Sequence, residues 1–395
     1  MVCGGRPLPG PVSGGVGVLK VVMISKACVS AAYRGKLREM VQQAGMNLVL
    51  VVPPAWGSLP YEPAADEPFR TVVSPVRLSG QNHLHWYPAL GRILAAERPD
   101  LLHVDEEHYS LVTGLAFLHA MRLGVAALFF TWQNLYKRYP LPFAAIEQFV
   151  FRRAAGAIAG NAEAVAVLRR KRYRGPVAVI PQFGTDADVF RPRPGSEFRA
   201  EWGFGEDETV IGYVGRLVHE KGVDILVDAA LPFLKADGNV RLVLAGSGPE
   251  RDALETSLKG AGVEDAVRFV PWVPSDRMPD LMNGLDVLVL PSRTTPRWKE
   301  QFGRVLPEAM ATEVPVVGSS SGEIPAVIGD AGLVFEEDNA YQLREALRHL
   351  IEEPRERRRF GQAGRARVEE RFSQRVVAHD TVTFYEALLA GAAAR

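Results

Sequence analysis

The sequence predicts two consecutive α/β domains, each built on a doubly wound parallel sheet with helices on both faces. Three observations point to this fold class. Short, nearly all-apolar runs alternate with longer helical patterns, which is typical of strands buried on both faces of a parallel sheet. The alternation breaks in the proline-bracketed stretch 190–195 and then starts again. The chain of 395 residues, 47% of them apolar, is long enough for two cores.

The first half of the chain contains six apolar runs that predict strands, with helical patterns between them. The predicted strands are 19–24, 47–52, 101–104, 126–131, 156–159 and 177–180. The predicted helices are 33–43, 87–96, 110–121, 143–153 and 162–171. Together they define a first domain at residues 18–190, preceded by a Gly- and Pro-rich segment at 1–17 that we expect to be a flexible leader.

The second half repeats the pattern and defines a second domain at residues 191–372. Its predicted strands are 210–214, 240–245, 267–269, 287–290, 314–317 and 332–335. From residue 341 to 389 only helical patterns remain, and Arg and Glu recur at i, i+4 spacing around 352–371. Such spacing is typical of solvated helix faces, so we assign this charge run a structural role.

Composition excludes several classes of protein. The 46 basic and 46 acidic residues leave no net charge that would attract nucleic acid. Two cysteines, Cys3 and Cys28, are too few for a disulfide framework or a four-ligand zinc site, which favours a reducing compartment such as the cytoplasm. The best apolar stretch, 117–130, is broken by His119 and Arg122 and cannot serve as a membrane span. We expect a soluble protein and leave association with a membrane surface open.

Open parallel sheets bind ligands beyond the carboxyl ends of their strands, so a cleft between the two domains is the expected site. The most informative loop lies there: Gly215 follows a predicted strand, and Arg216 and Lys221 precede a predicted helix. Cations beside a helix N-terminus favour an anion, and a diphosphate fits this arrangement. The alternative is that Lys221 pairs with Glu220 or Asp224 at a wet loop edge.

A second segment, 298–311, carries Glu300 and Glu308 eight residues apart, with a helix predicted to begin near Gly303. One carboxylate on the loop and one in the helix could both face the cleft and accept hydrogen bonds from sugar hydroxyls. Gly303 would let backbone amides approach a ligand closely. The alternative is two solvated acids, since Glu is mostly exposed in proteins.

Four motifs of the second half occur together and in order. They are Gly215-Arg216 with Lys221-Gly222, Ala-Gly-Ser-Gly-Pro-Glu at 245–250, Glu-Gln-Phe-Gly-Arg-Val-Leu-Pro-Glu-Ala-Met-Ala at 300–311, and Ser-Gly-Glu-Ile-Pro at 321–325. In combination they resemble the retaining glycosyltransferases of family 4. The first half resembles that family more loosely, through its alternation and the segments 99–104 and 179–190. The resemblance implies the GT-B fold, two Rossmann-like domains facing a cleft, with the final segment, 373–395, crossing back to the first domain as a helix.

The resemblance also implies a reaction. It assigns Arg216 and Lys221 to the diphosphate of a nucleotide sugar and Glu300 to hydroxyls of the transferred sugar. In this family no divalent metal or other cofactor is needed, because the two cations neutralise charge on the departing diphosphate. The family's chemistry is a same-face displacement in which that phosphate helps to remove the acceptor proton. A double displacement would instead need a carboxylate below the anomeric carbon, for which the acids at 105–107 are the one cluster at a first-domain strand end.

The remaining donor contacts that the resemblance implies are Gly215, the backbone near Phe302 and Gly303, and Glu308, which would bind the nucleotide ribose. For the base we expect the turn that contains Val273 to form a wall. We expect uridine as the first choice of base and guanosine as the second.

On the acceptor side the first domain departs from the family. Many members carry a histidine after the strand near the cleft, whereas Gln133 occupies the equivalent place here; it can hydrogen-bond a sugar but cannot titrate. His103 and His108 lie near a different strand end, and we take His108 as a second acceptor-side candidate beside the structural role that a lone His usually has. We expect the acids at 105–107 to be exposed loop residues.

Two further motifs have structural explanations. Gly246 and Gly248 could begin a dinucleotide fingerprint, but Arg251 occupies the place of the third glycine, and a tight turn explains both glycines. Asp186 and Asp188 lie at the domain junction, where we expect a polar turn. The leading hypothesis is therefore a glycosyltransferase that uses a nucleotide sugar and an unknown acceptor. A non-catalytic nucleotide-sugar-binding protein, or an isomerase or hydrolase of the GT-B fold, remains as the alternative.

Overall fold

The computed structural model describes residues 18–193, 197–236 and 238–393, so the predicted leader at 1–17 lies outside the described residues. The first sheet is formed by seven strands, and a short hairpin stands apart from it. The strands of this half are β1 (Lys20–Ile24), β2 (Asn47–Val52), the hairpin strands β3 (Ala55–Trp56) and β4 (Leu59–Pro60), β5 (Arg70–Val73), β6 (Leu101–Val104), β7 (Ala126–Thr131), β8 (Gly156–Ala159) and β9 (Val177–Val179). The sheet is parallel, with the order β5-β2-β1-β6-β7-β8-β9.

Helices cover both faces of this first sheet. They are α1 (Gly35–Ala44), α2 (Leu90–Glu97), α3 (Leu111–Leu123), α4 (Phe143–Arg153) and α5 (Ala162–Arg170). Side chains alternate along a strand, so Val21 and Met23 of β1 enter one core while Val22 and Ile24 enter the other. Burial on both faces explains why these strands are continuous apolar runs in the sequence.

The second sheet has six parallel strands. They are β10 (Thr209–Val214), β11 (Val240–Ala245), β12 (Val267–Val270), β13 (Val287–Leu290), β14 (Val316–Ser319) and β15 (Gly332–Phe335), in the order β12-β11-β10-β13-β14-β15. The helices are α6 (Glu197–Trp202), α7 (Val223–Lys235), α8 (Arg251–Ala261), α9 (Met278–Asn283), α10 (Val305–Ala311), α11 (Ile324–Ile328), α12 (Ala340–Glu352), α13 (Pro354–Arg367) and α14 (Gln374–Ala393), with a π-helical turn at Val368–Phe372 before α14.

The predicted fold class is confirmed, and the twelve predicted strands all occur. The largest displacement is at β14, which begins two residues later than predicted. Val314 still closes the preceding helix, because its N–H donates to Ala309 O (3.0 Å), and Pro315 has no N–H to donate. β5 was not predicted from the sequence, because it is an edge strand whose side chains are only partly buried and which therefore lacks an apolar run.

The final helix, α14, packs on the first domain. Its Tyr385 shares a core with Leu37 of α1. The chain passes between the domains where Thr185 N donates to Phe372 O (2.7 Å) and Gln374 N donates to Thr185 O (3.0 Å). No helix of the described ranges, α14 included, is both long and apolar enough to cross a bilayer.

Candidate active site

The carboxyl ends of the two sheets bring polar loops of both domains to one cleft, as parallel topology requires. Three cavities lie there: the two described next, and one of about 190 Å³ whose lining includes Arg304 and Glu308. The larger cavity, of about 380 Å³, lies between loops of the second domain and the segments that follow β1 and β4; its lining includes Ser30, Tyr33, Glu62, Gly215, Arg216, Ser247, Val273 and Arg304. The smaller cavity, of about 130 Å³, has a lining that includes Glu107, Tyr109, Gln133, Lys137, Arg297 and Trp298.

Gly215 and Arg216 form the floor of the larger cavity directly after β10. Gly215 has φ +157°, and a Cβ on it would lie 2.7 Å from Tyr213 Oη, so the position excludes a side chain. That hydroxyl donates to Arg216 O (2.6 Å), which fixes the loop from below. The Arg216 side chain is 63% exposed, with Glu220 at 3.5 Å, and is therefore available to an anion in the cavity.

Lys221 and Glu300 form an ion pair between the loops that follow β10 and β13, in which Glu300 is buried and Lys221 is half-buried. Lys221 Nζ donates to Glu300 Oε2 (2.5 Å), which also accepts from Ser292 Oγ (2.8 Å), and Nζ lies 4.8 Å from the centroid of the Trp298 ring. The alternative of a wet pair between Lys221 and a neighbouring acid is wrong. Glu220 forms an ion pair with Arg216 instead, and Asp224 forms one with Arg293.

Glu308 is also buried, so the expectation of two solvated acids is wrong for both glutamates. Arg304 Nε lies 2.9 Å from Glu308 Oε1, one helical turn apart in α10. Burial raises the pKa of Glu308, and the Arg304 guanidinium opposes this by favouring the carboxylate. Arg304 itself stacks at 4.8 Å on the Tyr33 ring, so this pair connects the second domain to the first.

The predicted donor contacts separate into two groups. Val273 lines the larger cavity next to Trp272, whose side chain is 72% exposed. The Phe302 side chain instead packs between domains, with its ring centroid 5.9 Å from that of Trp132. Gly303 follows with φ +75°, where a Cβ would lie 2.6 Å from Leu290 Cδ2, so glycine is required at this turn.

The loop that carries Glu300 is held by both domains. Asn134 Nδ2 donates to Glu300 O (3.2 Å), and Asn161 Nδ2 donates to Gln301 O (2.7 Å). Lys299 Nζ lies 2.5 Å from Glu163 Oε1 of the first domain. Three contacts across the cleft thus fix the backbone on which the buried carboxylate sits.

On the first-domain side, the structure separates the two predicted acceptor residues. Gln133 lines the smaller cavity, and its Nε2 donates to Leu135 O (3.1 Å). His108 does not line any of the cavities described above. It is fully buried, with Nε2 bonded to Glu147 Oε2 (3.1 Å), and its ring stacks on Phe151. The structure therefore gives His108 the structural place of a core histidine.

The acids at 105–107 are not the exposed loop residues that we expected. Asp105 is buried and accepts from Ser25 Oγ (2.6 Å), and burial raises its pKa to about 6. Glu106 is buried beside Lys26, and its pKa is lowered: burial is the largest single influence and raises the pKa, but Lys26 and the hydrogen bond from His85 together outweigh it. Glu107 lines the smaller cavity and accepts from Thr131 Oγ1 (2.6 Å) and Trp132 N (2.8 Å).

Two motifs with structural explanations fold as turns. A Cβ on Gly246 would lie 1.8 Å from Gly215 O, so this glycine lets two loops of the second domain pack closely. Asp186 Oδ1 accepts from the backbone N–H groups of Asp188 and Val189, both at 3.1 Å, which is a polar turn. In the described part of the chain, no three His, Cys, Asp or Glu side chains converge into a group that could hold a metal ion.

Two family models match the chain, one on each domain. The model described as Glycosyltransferase Family 4 matches residues 36–183, and the model described as Glycosyl transferases group 1 matches residues 195–367. The chain belongs to the family 4-like glycosyltransferases of the GT-B fold. The predicted family resemblance and GT-B architecture are thereby confirmed.

Relatives of this glycosyltransferase support the same family. A D-inositol 3-phosphate glycosyltransferase of Segniliparus rotundus is 30% identical over 55% of this chain and 48% of its own length. The 2-deoxystreptamine glucosyltransferase of Streptomyces kanamyceticus is 26% identical over 73% of this chain and 77% of its own. The chain thus spans about half the length of the first of these curated relatives. HepE of Anabaena, solved in complex with UDP, has a TM-score of 0.71 at 18% identity, covering 93% of this chain and 100% of that one, and shows the shared fold.

The sequence did not predict the positions of three residues of this cleft. Arg304 lies inside a motif that we quoted, but its sequence neighbours gave no sign that it would partner Glu308. Trp298 lies beside the Lys221 ammonium, and Glu107 lies in the smaller cavity. A signal for Glu107 was present, since it follows a central strand at its carboxyl end.

Proposed function

We propose that this chain transfers a hexosyl group from a nucleoside-diphosphate sugar, with uridine as the first choice of base, to a hydroxyl of an acceptor. The observation that carries the proposal is the pair of the buried Glu300 with Lys221, together with the exposed Arg216 on the same loop as Lys221. A cation that binds phosphate and a carboxylate that binds sugar hydroxyls lie side by side where a glycosyl phosphate would be cleaved. The diphosphate and the transferred sugar can therefore be held at one point of the cleft.

The larger cavity suits the nucleotide. Its volume lies within the range of small-molecule sites. Its lining combines apolar walls at Trp272 and Val273 with the cations Arg216 and Arg304. Uridine is supported by the UDP bound in HepE, which shares the fold. We place the ribose near Arg304 and Glu308, because Arg304 lines this cavity and orients the carboxylate.

The smaller cavity suits the acceptor. Trp298 and Gln301 contribute to its lining from the loop that carries Glu300, and Gln133 and Glu107 contribute from the first domain. Glutamine and glutamate bind hydroxyl groups without needing to titrate. The two curated relatives are named for the acceptors D-inositol 3-phosphate and 2-deoxystreptamine, and these names support a polyhydroxylated acceptor here.

The proposed reaction is a metal-independent displacement with retention. The bond from the anomeric carbon to the diphosphate oxygen breaks, and Arg216 and Lys221 neutralise the charge that develops on that oxygen. The acceptor oxygen bonds to the same face of the sugar, and its proton passes to the departing phosphate. Glu300 holds Lys221 in place and accepts hydrogen bonds from the transferred sugar. The low cysteine content supports the cytoplasm as the compartment.

The test uses the full chain. Thermal denaturation is followed with UDP, GDP, ADP and CDP, and a nucleotide at about 100 times its Kd should stabilise the protein by about 2.7 kcal/mol. The chain is then incubated with labelled UDP- and GDP-sugars, with and without a panel of inositol and aminocyclitol acceptors. Acceptor-dependent release of the nucleoside diphosphate supports a transferase. Binding without release identifies a non-catalytic binding protein, and product formed without acceptor identifies a hydrolase or isomerase.

A further inference from the structure

The first domain carries a strongly basic segment in an otherwise neutral chain. Residues 136–175 contain nine Lys and Arg and two acidic residues, whereas the whole chain has 46 of each. The remaining residues therefore have a net negative charge. Eight of the nine cations are exposed and form what we name the basic surface: Lys137, Arg138, Arg152, Arg153, Arg169, Arg170, Arg172 and Arg174.

The cations of the basic surface lack acidic partners. Among the residues that the structure describes, none of the eight has a carboxylate oxygen within 4 Å, the distance that defines an ion pair. The two acids of the segment are already engaged: Glu147 with Lys171 and His108, and Glu163 with Lys299. By contrast, the Arg-rich helix α13 of the second domain interleaves its cations with acids, as in the Arg359–Glu356 pair. Unneutralised charge of one sign over adjacent elements is the feature that attracts an extended anionic surface.

Packing brings together the elements that carry these cations. The ring of Phe151, next to Arg152 in α4, contacts the ring of Tyr173 (5.2 Å), and Arg169 lies over that same tyrosine. The end of α4 and the loop after α5 are thus neighbours. Arg170 stacks on Tyr136 (4.1 Å), which brings the loop before α4 to the same surface.

Apolar groups are exposed beside the same cations. Leu141, two residues before α4 begins, is 78% exposed, and Tyr136 is 37% exposed. A leucine contributes nothing to contacts with a nucleic-acid backbone, but it gains free energy when it enters the acyl boundary of a bilayer. Cations beside an exposed leucine match anionic headgroups over acyl chains.

We propose that the basic surface docks this protein on the surface of an anionic lipid bilayer. Lys137 belongs to the basic surface and also lines the smaller cavity, so a bilayer bound there would lie next to that cavity. An acceptor hydroxyl on a membrane lipid could then reach the site without leaving the surface. This consequence for the acceptor rests on the proposed function, whereas bilayer docking does not.

The test is cosedimentation of the full chain with vesicles of phosphatidylcholine alone or with 30% phosphatidylglycerol. The test variant replaces Arg152, Arg153, Arg172 and Arg174 with Glu; the control variant makes the same change of charge in the second domain at Lys235, Lys259, Arg355 and Arg358, which are also exposed. Each cation near such a surface contributes about fivefold to partitioning at low salt. We expect binding to anionic vesicles only, loss of at least about tenfold in the test variant, and near wild-type binding in the control.

Two further measurements keep the outcomes distinct. Leu141→Ser should reduce vesicle binding by about threefold at any salt concentration, because it removes apolar insertion and no charge. The stabilisation of the test variant by UDP should equal that of the wild type, so a failure of docking is separate from a failure of the proposed function. Three results would overturn the proposal. They are an equal loss of vesicle binding in both charge variants, wild-type binding that does not depend on phosphatidylglycerol, and binding to RNA in place of vesicles.

Discussion

The two sides of the cleft hold their polar groups by different means. On the second domain, the buried acids are matched by cations, as in the pairs Lys221–Glu300 and Arg304–Glu308. On the first domain, Glu106 is likewise paired with a cation, Lys26, but its neighbours accept from neutral donors. Asp105 accepts from a serine hydroxyl and a glutamine amide, and Glu107 accepts from a threonine hydroxyl and a backbone N–H. Ion pairs stabilise the charged form of an acid, whereas neutral donors only partly offset its burial. We therefore infer that the second-domain side of the cleft manages charge and that Glu107, on the first-domain side, recognises neutral hydroxyls.

The largest expected effect is the loss of the Lys221 charge. Lys221→Gln keeps a donor for Glu300, so the buried carboxylate stays partnered, but it removes the cation beside the departing diphosphate. We expect kcat to fall about 100- to 1,000-fold, as when one oxyanion donor is removed. The measurement is turnover of the nucleotide sugar found in the ligand panel.

The matched control is Lys235→Gln, at the exposed end of α7. It should leave turnover within about twofold of wild type, as surface substitutions usually do. If Lys221→Gln turned over as fast as this control, the second domain would not manage the charge of the leaving group.

A second test addresses the buried acid of the first domain through pH. Asp105 has a folded pKa of about 6, above the unfolded value of 3.8, so the folded state binds more protons between these values. Stability is therefore greatest below the unfolded pKa and falls as pH rises through about 6, by on the order of 2–3 kcal/mol. Asp105→Asn should flatten this part of the stability curve.

The measurement is urea unfolding of wild type and variant at pH 4, 5, 6 and 7. Asp286→Asn is the comparison, since that acid is paired with Arg199 and only partly buried. A wild-type curve that rises with pH from 4 to 7, with the same slope in Asp105→Asn, would show that the buried acid does not titrate in this window.

The contrast between the two sides also explains what could be predicted from the sequence. The loops after β10 and β13 were placed at the cleft correctly, because the carboxyl ends of parallel strands lie at one edge of the sheet. The partner of Lys221 was not predicted, since Glu220 and Asp224 lie closer in sequence than Glu300 does. Only the pairing of β10 with β13 brings the loop that carries Glu300 beside Lys221.

The first domain was harder for a different reason. Glu107 depends on Thr131 and Trp132, which follow the neighbouring strand β7, and no contiguous motif contains them. His108 is adjacent to Glu107 in sequence, yet it points into the core beneath α4 and pairs with Glu147. Neighbouring residues on a loop can face opposite ways, so sequence proximity to the cleft did not distinguish the cavity residue from the core residue.

A third prediction concerns the pair on α10. Glu308→Gln keeps the side-chain volume and removes the charge that Arg304 faces, so nucleotide affinity should fall about 10- to 100-fold, as for loss of one charge-assisted hydrogen bond. Turnover at saturating donor should change less than affinity. The measurement is calorimetric titration with UDP.

Glu313→Gln, at an exposed position just after α10, is the control and should leave the affinity unchanged. If the Glu308→Gln and Glu313→Gln variants bound UDP with equal affinity, Glu308 would not contact the ribose, and the Arg304–Glu308 pair would have a structural role only.

The smallest expected effect sharpens the comparison most directly. Glu107→Gln leaves one oxygen to accept from Trp132 N and sets an amide NH2 group, which cannot accept, against the Thr131 hydroxyl, so the hydrogen bond that this hydroxyl donates is removed. We expect the KM for the acceptor to rise about three- to tenfold, the value for one neutral hydrogen bond, with UDP affinity unchanged. Glu62→Gln, which alters an acid of the larger cavity, should do the opposite and change UDP affinity but not acceptor KM. If both substitutions shifted UDP affinity and neither shifted acceptor KM, the two cavities would serve one ligand, and the division of the cleft into a charge-managing side and a hydroxyl-recognising side would be wrong.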